Sequence, residues 1–307
     1  MTGMQAGVGR VGCVDVGGTV IKSGVLEGSE LVLSGETPTP PPGDDIGARV
    51  VDAVVAVVGD LVATAGPLEA VGVVVPGVVD VEAGTGVWSA NLGWRDVPFR
   101  RLLQDRLGIP VAFGHDVRTG GLAESRLGAA AGRRDVTFLA LGTGIAAALV
   151  IDGVVLERPR PHSEIGHVDV GHSELCVCGL RGCLEAVASA AAVGRRYADR
   201  SGTPRTAAEV AGLVRAGDEV AVAVWTDAVD GLARAIAWLA ALLAPDVVVV
   251  GGGLANAGAT LFDPLRVAVG QRLSYHHRPL VVPATLGDRA GCVGAGLLAQ
   301  DLLEGAR

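Results

Sequence analysis

The chain has 307 residues, 50% of them hydrophobic and 19% charged, and a formal net charge of −8. That length suits two domains, each with a core of ordinary size. The acidic balance, with no local Lys/Arg cluster, argues against a nucleic-acid-binding surface.

No charged-then-apolar leader opens the sequence, and the most apolar helical run, Ile236 to Leu243, is too short to span a membrane. The five cysteines fall into one tight group plus isolated Cys13 and Cys292. That pattern reads as metal binding in a reducing compartment rather than a disulfide framework, so a cytoplasmic location is expected. Glycine, at 46 residues, is about twice its usual share and predicts many tight turns and close backbone approaches. Lys22 is the only lysine, which marks it as a place where a compact ammonium is required.

Residues 11–16 (VGCVDV) read as a strand that ends in the turn Gly17-Gly18-Thr19, followed by strands at Val20 to Leu26 and Glu30 to Gly35. A Pro-rich loop leads to a helix over Ile46 to Ala65, and Ala70 to Val75 is a buried strand closed by Pro76-Gly77. A hairpin spans Val78 to Trp88 and ends in the loop Asn91-Leu92-Gly93-Trp94. A helix at Phe99 to Leu107, a strand at Val111 to Gly114 and a helix at Val117 to Leu127 complete an α/β first half. Residues 136–151 then repeat the opening pattern of strand, Gly-Thr-Gly turn and returning strand, which suggests two related domains facing one another. Helices follow at Cys183 to Arg200, Thr206 to Arg215 and Asp218 to Leu243. The continuous apolar strand Val247 to Val250 runs into Gly251-Gly252-Gly253. A helix at Leu261 to Leu273, a strand at Leu280 to Val282 and a helix from Arg289 onward finish the chain.

The densest chemistry lies between His162 and Glu185. Cys176, Cys178 and Cys183 are spaced so that one short loop aims three thiolates at one point, which suits a structural, tetrahedral zinc. His162, His167 and His172 are all candidates for the fourth ligand, and Glu164 and Glu185 flank the group. The turn Asp15-Val16-Gly17-Gly18-Thr19 lets backbone N–H groups approach a phosphate, with Asp15 placed to hold a Mg²⁺-bound water. Gly142-Thr143-Gly144 offers a second phosphate turn, and the glycines at 251–253 suit packing against a flat nucleoside. At the strand-to-helix junction His115-Asp116, the carboxylate reads either as a proton acceptor or as a helix N-cap. Two other matches are accidental. Gly7, Gly9 and Gly12 spell GxGxxG ahead of the first strand instead of after one, and Lys22-Ser23 lacks the glycine a P-loop needs.

Taken together, DVGGTVIK at 15–22, GVVVPG at 72–77, NLGW at 91–94, HDVRTGGLAE at 115–124 and LGTGI at 141–145 resemble the ROK family. So do EIGH at 164–167, CVCGLRGCLE at 176–185 and PDVVVVGGGLANAG at 245–258. This is a family of bacterial sugar kinases and related repressors. The resemblance implies a two-domain actin-like ATPase (ribonuclease H-like) α/β fold with a nucleotide and sugar cleft between the domains. Residues 1–118 with the C-terminal helix 289–307 would form the small domain, and residues 119–288 the large one with the zinc loop. It implies a glucokinase-like, ATP- and Mg²⁺-dependent enzyme in which Asp116 is the general base for attack of the sugar 6-hydroxyl. It makes His167 the fourth zinc ligand and places Glu164, His167, Glu185, Asn91 and the His115-Asp116 pair on the sugar. It assigns the turns Gly17, Gly18, Thr19 and Gly142, Thr143, Gly144 to the phosphates and Gly251, Gly252 and Gly253 to the adenosine side, with Asp15 and Lys22 also among the nucleotide-binding residues. A homo-oligomer, dimer or tetramer, is expected.

The chain departs from the family at one point that matters. His115 stands where many members carry asparagine, and Arg118 where a small polar residue is common. Recognition of the C3/C4 side then differs from an ordinary glucokinase, or His115 simply replaces the asparagine contact. Glucose is the expected substrate; kanosamine, N-acetylglucosamine or N-acetylmannosamine are the alternatives, and a non-catalytic sugar sensor is a third. A repressor role is not expected, because the phosphate turn begins at Asp15 with no room ahead of it for a helix-turn-helix domain.

Overall fold

The structure, a computed structural model, describes residues 9–158 and 160–305. Gly7 of the accidental glycine motif lies outside them. The chain divides into two compact units. One comprises Met1–Ala123, Glu157–Pro161 and Arg289–Arg307; the other comprises Glu124–Leu156 and His162–Asp288.

The first unit is built on β1 (Val11–Val16), β2 (Val20–Glu27), β3 (Glu30–Pro38), β4 (Ala70–Val75) and β8 (Val111–His115), in the order β3-β2-β1-β4-β8. β1 to β3 pair antiparallel, whereas β4 and β8 extend the sheet in parallel. Parallel strands need both faces covered, which explains why AVGVVV is buried at every position. One face carries α1 (Ile46–Ala65) and α2 (Phe99–Leu107), whose valines, Leu61, Phe99 and Leu103 share one core with Val14, Val73 and Val75. The C-terminal helix α9 (Ala290–Gly305) packs on β1, β4 and β8.

The second unit repeats that plan. Its sheet comprises β9 (Val136–Leu141), β10 (Ile145–Ile151), β11 (Val154–Val155), β12 (Val247–Gly251) and β13 (Leu280–Pro283), ordered β11-β10-β9-β12-β13. The strand directions match those of the first sheet pair by pair. The internal repeat at 11–26 and 136–151 is therefore a repeat of topology. Helices α4 (Leu184–Ala188), α5 (Ala190–Ser201), α6 (Ala207–Ala216), α7 (Glu219–Leu243) and α8 (Ala259–Arg272) supply most of this core. No helix among the described residues is long and apolar enough to cross a membrane.

Two local expectations need correction. The segment after Pro76 is a three-stranded sheet of β5 (Val78–Asp80), β6 (Thr85–Trp88) and β7 (Arg95–Val97), not a hairpin ended by the 91–94 loop. With only three residues, the first two of them exposed and charged, β7 has no alternation to read. The helix expected over Cys183 to Arg200 is two helices. Ser189 takes an extended conformation (ψ 158°), and its hydroxyl accepts the Ala192 N–H, capping α5.

Candidate active site

On the first unit, the turn after β1 is braced from below. The Gly17 N–H donates to the Val20 carbonyl at 3.0 Å. Thr39 holds both sides of the turn: its hydroxyl donates to the Gly17 carbonyl at 2.7 Å and its amide to the Thr19 carbonyl at 2.9 Å. Gly18 and Thr19 are left exposed at the tip. At the end of β1, Asp15 lies in register with Lys22 on β2, and Lys22 lies in register with Glu36 on β3. Burial pushes the Asp15 carboxyl up to about 7, the negative charge of Asp116 pushes the same way, and Lys22 opposes both.

At the start of α3 (Asp116–Arg126) the helix amides meet both side chains of the His115-Asp116 pair, and Val117 N–H and Arg118 N–H lie 3.2 and 3.4 Å from His115 Nδ1. Asp116 keeps a bond of 2.7 Å from the Val117 N–H to Oδ1, and its side chain remains 27% exposed. Loss of solvent around the carboxylate pushes it up to about 6, against the pull of the Val117 N–H and the Arg118 charge. His115 Nδ1 also lies 3.2 Å from Asp116 Oδ1. Arg118 itself is buried; its Nε donates to the Glu157 carboxylate at 3.0 Å, and its Nη2 has no hydrogen-bond partner. Asn91 sits exposed at the tip of a loop whose ends are fixed by buried Leu92 and Trp94 and by Ser89.

On the second unit, the Gly142 N–H donates to the Gly144 carbonyl at 3.0 Å, and the Ala190 N–H at the start of α5 donates to the Gly142 carbonyl at 2.9 Å. Thr143 is exposed between them. The Ile145 N–H, one residue past the turn, donates to Glu185 Oε2 at 2.8 Å. Glu185 thereby ties the 142–144 turn to the helix that follows the cysteine loop. Glu164 is exposed and precedes a 3₁₀ turn, Ile165–His167. A side chain at Gly166 would meet the Ile145 carbonyl oxygen at 2.3 Å, so only glycine lets EIGH lie against the start of β10.

His167, Cys176, Cys178 and Cys183 place their ligand atoms within 4.8 Å of one another. His167 Nδ1 lies 3.6 Å from Cys176 Sγ, and Cys178 Sγ lies 3.6 Å from Cys183 Sγ. A tetrahedral zinc with Zn–S near 2.3 Å and Zn–N near 2.0 Å sets its ligand atoms about 3.5–3.8 Å apart, so the donor set fits that ion. Burial, with the neighbouring cysteines adding to it, pushes the Cys183 thiol up to about 12, so these residues do not hold three thiolates together without a cation. Of the three histidines open to the fourth ligand position, the other two point elsewhere. His162 Nε2 lies 3.0 Å from the Leu156 carbonyl, and His172 caps the Glu174 N–H.

The triple glycine divides by task. Gly251 is the buried end of β12 against Phe138, and Gly252 (φ 84°) passes so close to Leu141 that a side chain would strike its backbone. Gly253 alone of the three lines a cavity of about 190 Å³, opposite Ala207, Ala208, Ala211 and Arg215 of α6 and beside Asn256. Sequence reasoning missed that α6 face, as it missed Thr39. Three small residues on a helix look like ordinary packing, and a threonine among prolines looks like a loop.

The chain matches the ROK family over residues 11–302. It is 32% identical to a glucokinase of Halalkalibacterium halodurans across 94% of both chains. It is 34% identical to a kanosamine kinase of Amycolatopsis mediterranei across 76% of this chain and 77% of that one. In three dimensions it superimposes on a ROK family glucokinase from Streptomyces griseus, solved with glucose and AMPPNP, with a TM-score of 0.81 at 30% identity, covering 95% of this chain and all of that one. The two like-ordered mixed sheets are accordingly those of the actin-like ATPase fold, and the chain belongs to the ROK family.

Proposed function

We propose that this chain is an ATP-dependent hexose kinase that phosphorylates the 6-hydroxyl of glucose or a closely related sugar. The observation that carries this reading is the state of Asp116 at the start of α3: its carboxylate is partly exposed and is pushed up to about 6 by burial. A carboxylate of that basicity suits proton abstraction near neutral pH. In the proposed step the sugar O6 bonds to the γ-phosphorus and the bond from that phosphorus to the β,γ-bridging oxygen breaks. The O6 proton passes to Asp116.

The turns at Gly17–Thr19 and Gly142–Gly144 would hold the phosphates with backbone N–H groups, and Lys22 would add positive charge beside Asp15. Mg²⁺ would be held from Asp15 and would neutralise phosphate charge. The Gly253 cavity would take the adenosine. On the sugar, Asn91, His115, Asp116, Glu164, His167 and Glu185 would serve. The zinc, with four protein ligands, would be structural, and His167 would give Nδ1 to the metal and Nε2 to a hydroxyl. Assembly as a homo-oligomer belongs to the same reading.

Kanosamine is the second reading, supported by identity to a kanosamine kinase as high as that to a glucokinase. Glucose remains the first reading on glucokinase relatives that match over 94% of the chain, against 76% for the kanosamine kinase. Comparing kcat/KM for glucose, kanosamine, N-acetylglucosamine and N-acetylmannosamine tests both. Glucose should lead, and a lead for kanosamine would reverse the assignment.

A further inference from the structure

We infer that Arg195 and Arg196 are positioning residues: a second clamp, independent of the metal, that fixes the zinc loop and the helix carrying Glu185 as one block. The part of this inference that concerns sugar rests on the kinase reading; the part that concerns the metal does not.

The argument starts from the shortness of α4. Five residues make an unstable helix unless both ends are held. Its N-cap is Cys183, one of the four candidate metal-site residues, so a bound ion would fix the head of α4. Its tail is fixed by α5. Arg195 Nη2 donates to the Ala186 carbonyl at 3.0 Å, and Arg196 Nη1 donates to the Val187 carbonyl at 3.1 Å. These are C-terminal helix carbonyls, where cationic donors are most favourable. Glu185, in the first turn, sits between the two anchors.

The same two guanidinium groups also reach the loop. Arg195 Nη1 donates to Glu174 Oε2 at 3.0 Å and Arg196 Nε to Glu174 Oε1 at 3.3 Å, so each oxygen of one carboxylate has its own arginine. Glu174 is well placed to transmit that hold. Two residues on is Cys176, and its own carbonyl accepts the N–H of Gly182, the neighbour of Cys183. Arg196 is fully buried, and Asp227 of α7 takes its remaining charge at 2.6 Å. A buried arginine with acceptors on three separate elements is a rigid hub. Outer partners of this kind orient metal ligands, and their loss typically weakens metal binding.

The test uses full-length, zinc-loaded protein with Arg195→Met, Arg196→Lys and the control Arg200→Ala, whose residue touches Asp227 but neither Glu174 nor α4. Arg195 is 45% exposed, so its replacement leaves the core intact. The readouts are the rate of zinc transfer to a chromogenic chelator and the separate KM values for glucose and ATP. Both clamp variants should release zinc about 10–100-fold faster. They should raise the KM for glucose and, through the Glu185 bond to the Ile145 N–H, that for ATP as well, while the control matches wild type. Wild-type zinc release in both clamp variants would overturn the clamp. Faster release with an unchanged KM for glucose would overturn its role in placing Glu185. A protein that phosphorylates no sugar would overturn the kinase reading while the zinc readout still judged the clamp.

Discussion

Ile145 donates its amide N–H to Glu185 Oε2 at 2.8 Å, so the turn assigned to phosphate and the helix assigned to sugar share one hydrogen bond. Ile145 is buried, and leaving its N–H without a partner costs about 1–3 kcal/mol. Glu185→Ala is therefore expected to raise the KM for ATP as well as for the sugar. Glu185→Gln, which keeps a carbonyl acceptor, should affect the sugar alone. Initial rates with both substrates varied check this, and a wild-type KM for ATP in Glu185→Ala would show that the bond does not support the turn.

Asp116 makes a prediction with two signs. As the base, its loss in Asp116→Asn should lower kcat by about 10²–10⁴-fold while sugar binding persists. Stability should move the other way. Its pKa rises from 3.8 in the unfolded chain to about 6 in the fold, so ionising it opposes folding above pH 6 and has no such effect below pH 4. The asparagine variant should gain up to about 3 kcal/mol at pH 8, and that gain should vanish near pH 4. Denaturant unfolding at the two pH values measures it.

The same pKa sets the acid limb of activity. Only the carboxylate form accepts a proton, so kcat/KM for the sugar should fall as pH drops through about 6, tenfold per unit once well below it. A profile flat from pH 7.5 to 5 would remove Asp116 as the titrating base.

His115 carries structure and recognition together. His115→Asn keeps a side-chain acceptor for the helix amides and restores a carbonyl–amide pair, so it should hold stability and shift preference among sugars that differ at C3 or C4. His115→Ala should lose about 0.5–2 kcal/mol with the cap. An unchanged sugar profile in His115→Asn would make the departure from asparagine neutral.

For the cysteine loop, about one zinc per chain is expected by elemental analysis. Cys178→Ser, at the exposed ligand, should lower zinc content and raise the KM for sugar more than that for ATP. A fully active, metal-free protein would refute the structural zinc.

Much of this was readable from residues alone, for stated reasons. The helix Ile46–Ala65 and the strand Ala70–Val75 have the bounds expected, because long amphipathic and fully apolar runs are unambiguous. The three cysteines sit close in sequence, so their spacing already groups their thiols, whereas His167 is singled out from three histidines only by the family resemblance. What stayed hidden depends on residues far apart in the chain. Thr39 reaches back 22 residues to Gly17, and Arg196 reaches 31 residues on to Asp227, with no motif to announce either contact. The contact of His115 with the helix amides was hidden differently, because no spacing in the sequence shows which backbone N–H groups a ring nitrogen meets.

The central claim is that Asp116 drives ATP-dependent phosphorylation of a hexose, and one assay addresses it most directly: phosphoryl transfer from ATP to glucose by wild type and by Asp116→Asn, side by side. The expected result is sugar 6-phosphate from wild type and at least about a hundredfold less from the variant. Equal turnover by the two proteins, or no turnover of any hexose by wild type, would contradict it.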